Sequence, residues 1–82
     1  MSKNSCLADL RQGDWAVVRE LAVTGKLRRR LQDIGIIEGT KIHCVLKSPL
    51  GDPVAYLIRG AIIALRREDS SKIFIQEIKE RS

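Results

Sequence analysis

Cys6, His43 and Cys44 are the side chains of this chain best suited to nucleophilic chemistry, and their spacing argues against such a use. A catalytic thiol needs an imidazole within hydrogen-bond reach, and His43 is the single histidine. His43 and Cys44 are neighbours in a run that alternates apolar and polar residues, so as strand residues they point to opposite faces. A Ser–His–Asp set has no candidate imidazole besides His43. Gly51 lies between Pro49 and Pro53 and leads into no helix, so there is no phosphate-cradling loop. Metal ligation is equally poorly served. No Cys-x-x-Cys or Cys-x-x-x-His spacing occurs, and His43 reads as a solvent-facing strand residue. Asp33 and Glu38 can approach each other around a Gly35–Gly39 turn, but two carboxylates without a third ligand make a weak site. The residues thus argue against an enzyme, and no catalytic, cofactor or metal-ligating set is expected.

Two segments carry binding potential instead. Arg28-Arg29-Arg30, helped by Lys26, supplies a basic cluster. On a helix three consecutive residues fan over about 200°, so they do not form one flat patch. Aromatic residues are not interleaved with them, which disfavours base stacking and nucleic acid. The run reads as a solvated helix face, with a basic face that meets an acidic protein or the inner leaflet of a membrane as the further option. The second segment is the loop Pro49-Leu50-Gly51-Asp52-Pro53, where a leucine sits at a turn tip between two prolines. Leu50 either faces a partner or folds back as a plug, and Asp52 can bond backbone amides in the turn. Arg28, Arg29, Leu50, Gly51 and Asp52 are therefore the candidate partner-binding residues. The chain has too few aromatics to line a groove for Pro-x-x-Pro ligands.

The composition fits this view. Eighty-two residues make one domain, with an ordered core expected over about 7–78 and polar, frayed ends at 1–5 and 79–82. Trp15, Tyr56 and Phe74 are the only aromatics, so Ile, Leu and Val must fill the interior. A net charge of +5 favours anionic partners. Two cysteines are too few for a secreted disulfide scaffold, and Cys44 reads as a small core hydrophobe. The start lacks an apolar signal region, and no apolar run reaches transmembrane length. A soluble, cytoplasmic chain is expected, peripheral to a membrane at most.

The elements that must position these residues are short. Leu7 and Leu10 read as one helical turn, and Trp15–Leu21 opens a sheet. Thr24 is a plausible N-cap for a helix from 25 or 26 to 34, whose stripe is Leu27, Leu31 and Ile34, with Gly35 as its stop. In 40–48, Ile42, Cys44 and Leu46 are expected to face one way and Lys41, His43 and Lys47 the other. Strands 54–58 and 61–65 meet at Arg59-Gly60, a tight hairpin, and 73–78 is a last strand after a polar turn or single helical turn at 68–71. The pattern predicts a mainly β fold: a small SH3-like barrel of about five short antiparallel strands with helical insertions, closed so that edges vanish. An OB-type barrel is the runner-up.

The series Arg30-Leu31-x-Asp33-x-Gly35-Ile36-x-x-Gly39-Thr40, Pro49-Leu50-Gly51-Asp52-Pro53, Arg59-Gly60 and Ala64-Leu65-Arg66-Arg67, with Leu7-x-x-Leu10-x-x-Gly13 ahead of it, resembles the ferrous iron transport protein A (FeoA) family. The resemblance runs from about Leu7 to Ile78, with Ser71 standing where the family often has a small apolar residue. It implies an SH3-like barrel in the bacterial cytoplasm that assists or regulates the membrane ferrous iron permease, a transporter with a cytosolic GTP-binding domain. The partner implied is that permease, contacted by protein–protein binding. Similar domains end metal-dependent repressors, so an SH3-like metal-sensing or nucleic-acid-binding module is the alternative. Oligomeric state is left open.

Overall fold

The structure is a computed structural model that describes residues 5–78. Six strands and two short helices follow one another along the chain: β1 (Ser5–Cys6), a 3-10 turn (Leu7–Asp9), β2 (Trp15–Leu21), α1 (Gly25–Asp33), β3 (Lys41–Lys47), β4 (Val54–Ile58), β5 (Ala61–Leu65), α2 (Arg67–Ser70) and β6 (Ile73–Ile78). They form one antiparallel sheet in the order β1-β6-β2-β3-β4-β5. Ser5, expected to fray, instead pairs with Ile75. The rest of the predicted frayed ends lies outside the described residues. Full closure is a second correction. Among the described residues no ladder joins β5 to β1, so the curled sheet keeps both as edges.

The inward faces meet in an aliphatic core. Leu7, Ala16, Leu31, Ile36, Ile42, Cys44, Tyr56 and Ile73 are essentially fully buried, and Leu27, Ile34 and Ile63 pack against them. The helix stripe behaves as its spacing demands: Leu31 is buried, with Leu27 and Ile34 flanking it. Thr24 occupies the N-cap position with extended backbone, but its side chain makes no capping hydrogen bond.

Two bulges decide which residues face in. In β2 the register against β6 shifts between Val18 and Glu20, so the buried set is Ala16, Val18 and Leu21 rather than a strict alternation. In β3 the register against β4 shifts between Cys44 and Leu46. The extra residue, Val45, turns Leu46 out to 56% exposure, whereas strict alternation had placed it beside Ile42 and Cys44. Lys47 comes opposite Val54, and its N–H donates to Gln12 Oε1 at 3.0 Å.

Polar groups inside are matched. The Tyr56 hydroxyl donates to the Leu7 carbonyl at 3.3 Å, fastening the N-terminal turn to the middle of β4. The buried Thr40 hydroxyl donates to the Gly35 carbonyl at 3.0 Å and accepts from Ile37 N–H at 3.2 Å, which knots the segment between α1 and β3. The β4–β5 turn places both Arg59 (φ 51°) and Gly60 (φ 87°) in the left-handed region, the geometry that matches a two-residue hairpin to sheet twist. The Arg59 stem then lies over Gly35 (φ 100°), where a Cβ would come 2.5 Å from Arg59 Cδ.

Gly35→Ala is expected to cost about 1–2 kcal/mol through its positive φ alone, plus displacement of Arg59, read as a lower urea midpoint. Burial pushes the Tyr56 phenol up from 10.0 to about 12, so the folded state favours its neutral form. That stabilisation is complete below pH 10 and is lost as pH rises towards 12, where the unfolded chain ionises first. Unfolding free energy measured across this window should fall, and Tyr56→Phe should remove that part of the slope.

Candidate functional site

The loop 48–53 is held at both ends and presents its tip. Gly51, with φ 85°, donates its N–H to the Ser48 carbonyl at 2.7 Å, and Ser48 Oγ donates to the Pro53 carbonyl at 2.8 Å. The Asp52–Pro53 bond is cis. Asp52 does not bond an amide within its own turn. Its Oδ1 accepts the N–H of Arg67 at 2.8 Å, where α2 begins. A carboxylate at that end satisfies a free helical N–H and suits the local dipole. Leu50 is 93% exposed, so it is no plug.

Arg28 and Arg29 are exposed on α1. Arg28 is partly committed to the fold, because its Nη1 donates to the Leu21 carbonyl at 3.3 Å. It lines an open groove of about 550 Å³ with Glu20, Leu21, Gln32, Ile37 and Glu38. Arg28 reaches Leu21, which lies on β2 past Val17, the residue opposite the first residue of β3, whereas the loop 48–53 leaves the last residue of that strand. A seven-residue strand spans roughly 20 Å, so the fold sets the two candidate segments at opposite ends of β3 rather than in one patch.

A third surface escaped the sequence reading. Trp15, His43, Leu57 and Ile62 stand directly opposite one another across β2, β3, β4 and β5, forming one row on the outer face of the sheet. The Trp15 and His43 rings stack with centroids 4.4 Å apart, and Lys41 Nζ lies 5.7 Å from the indole centre. His43 is half-buried, and its Nδ1 sits 3.2 Å from the Asp14 carbonyl. Ile62 at the row's end is 60% exposed. The available signal was the apolar character of both faces of 54–58 and 61–65, which a sheet covered on one side does not need.

Chemistry stays remote from these surfaces. Cys44 lies in the core and His43 on the outer face, and burial pushes the Cys44 thiol up, away from the reactive thiolate. Among the described residues no three His, Cys, Asp or Glu side chains gather as a metal site. No described helix is long and apolar enough to cross a membrane.

A family model described as the FeoA domain matches residues 6–77. The chain belongs to the FeoA family. It is 39% identical over 72 residues to the Fe(2+) transport protein A/Fe(2+) transporter FeoB fusion protein of Porphyromonas gingivalis, covering 88% of this chain. The same match spans only 8% of that relative's length. A FeoA-like protein from Clostridium acetobutylicum superposes with a TM-score of 0.88 at 30% identity, over 100% of this chain and 95% of its own. The FeoA of Stenotrophomonas maltophilia, solved with zinc and described as an SH3 domain protein, aligns with a TM-score of 0.71 at 24% identity, over 92% and 91% of the two chains. The mainly β, SH3-like fold is thus common to the group.

Asp52→Ala should lower stability by about 0.5–2 kcal/mol through loss of the bond to Arg67, whereas Asp52→Asn, which keeps an acceptor, should lose less. Thermal unfolding of the two variants beside the parent checks this.

Proposed function

We propose that this protein is a small cytosolic accessory of bacterial ferrous iron uptake, acting by binding the ferrous iron permease and performing no reaction itself. The observation that carries this is the relative in which an FeoA-type sequence shares one polypeptide with the Fe(2+) transporter FeoB. Fusion holds a module at high effective concentration beside its target, a benefit that exists only if the two meet.

The contact is assigned to the loop 48–53 and the outer side of α1. Leu50 is an apolar anchor at the tip of a tethered loop, so it can enter a pocket with little loop ordering left to complete. Arg28 and Arg29 add cationic contacts for an acidic surface. Because the two segments lie at opposite ends of β3, the partner surface extends over roughly 20 Å or makes two separate contacts.

Isothermal titration against the isolated cytosolic domain of the cognate permease, at low and high salt, tests this assignment. Leu50→Ser is expected to weaken binding about tenfold at both salts, as for loss of one buried anchor. Arg29→Glu, which touches no fold hydrogen bond, should weaken it chiefly at low salt. Unchanged affinity in both variants would move the interface elsewhere.

A further inference from the structure

The β5 edge combines free backbone groups, an apolar centre and cationic ends. Its two-residue turn makes Ile58 and Ala61 a hydrogen-bonded pair, and by alternation Tyr56–Ile63 and Val54–Leu65 are hydrogen-bonded pairs as well. The N–H and C=O groups of Ile62 and Ala64 therefore point away from β4. No turn, loop or capping bond among the described residues takes them up. Edge strands are ordinarily blunted by a lysine, a proline, a bulge or a covering element. β5 reads Ala-Ile-Ile-Ala-Leu, pairs with β4 without a register shift, and has Ala61, Ile62 and Ala64 exposed.

The flanks decide what can pair there. Arg59 precedes the strand and Arg66-Arg67 follows it, and the first acidic residue after Arg59 is Glu68. A second copy is disfavoured by this pattern. Antiparallel self-pairing about Ile63 would set Gly60 opposite Arg66 and Arg59 opposite Arg67, so arginines would crowd at both ends of the joint strand pair. A strand with an apolar centre and acidic ends meets no such opposition.

We propose that the free edge of β5 docks an extended segment of another protein, apolar at its centre and acidic at both ends, as an added antiparallel strand. The main-chain groups of Ile62 and Ala64 supply the ladder, and Arg59, Arg66 and Arg67 select the acidic flanks. On the outer face the incoming side chains lie beside Ile62 and Ala64, extending the row that begins at Trp15. The site is separate from the Leu50 tip and does not rest on the transporter assignment.

The probe is a synthetic peptide, Asp-Glu-Val-Thr-Val-Thr-Val-Glu-Asp, set beside a twin with lysine at every acidic position. Amide hydrogen exchange of the isotopically labelled protein is followed by NMR. The Ile62 and Ala64 amides should exchange fast in the free protein and slow about tenfold or more with the acidic probe, while the lysine twin leaves them unchanged. Arg66→Glu with Arg67→Glu should weaken the acidic probe about tenfold, the loss of two exposed charge contacts. Leu50→Ser should leave the probe's binding intact. The proposal is overturned if the two amides do not respond, if the lysine twin protects them equally, or if the probe protects other residues instead. Protection that grows with protein concentration alone would assign the edge to a second copy and overturn it likewise.

Discussion

Enclosure of the Tyr56 ring is the constraint on which the rest of this small fold depends. It is the largest fully buried side chain among the described residues of a chain with only three aromatics, so its surroundings must be built mostly from aliphatic residues. Cys44 and Ile63 flank it on the neighbouring strands, and the Leu7 carbonyl receives its hydroxyl. A buried phenol without an acceptor would be costly, so the position of the N-terminal turn follows from the chemistry of β4. The two strand bulges serve the same packing. The β2 bulge brings Leu21 back to the core after Val18, and the β3 bulge turns Leu46 outward after Cys44.

A core this economical leaves the surface with unusual freedom. One side of the sheet closes on the aliphatic interior, while the other carries the Trp15–Ile62 row and has no layer over it among the described residues. Helix α1 and the loop 48–53 lie towards opposite ends of β3, each tied to its surroundings by hydrogen bonds between side chains and backbone.

Much of the architecture was legible because its causes are local. The limits of β2, the Leu27–Leu31–Ile34 stripe, the Gly35 stop and the Arg59-Gly60 hairpin each follow from residues adjacent in sequence. The bulges at Arg19 and Val45 were not legible, since a bulge is defined by the partner strand and leaves period-2 alternation looking intact. The same reason hid the outer row: Trp15 and Ile62 are far apart in sequence and become neighbours only through register. The two residues of β1 hold no periodicity to read. At the candidate site, Asp52 was legible as an acceptor for backbone N–H groups, but its own turn was the wrong place to look for the donor. The amide that Asp52 reaches, fifteen positions on, depends on how β5 returns the chain to the loop.

The contact between Gly35 and Arg59 also fixes an order of events in the history of such sequences. Arg59 can shorten while Gly35 stands, and asparagine there would even suit the left-handed turn better. Gly35 gains a side chain only by pushing the Arg59 stem aside, and its own φ of 100° still resists one once that space is cleared. The two positions are unequal neighbours. Drift at the hairpin can run ahead freely, whereas the end of the helix must wait for it and then gains little.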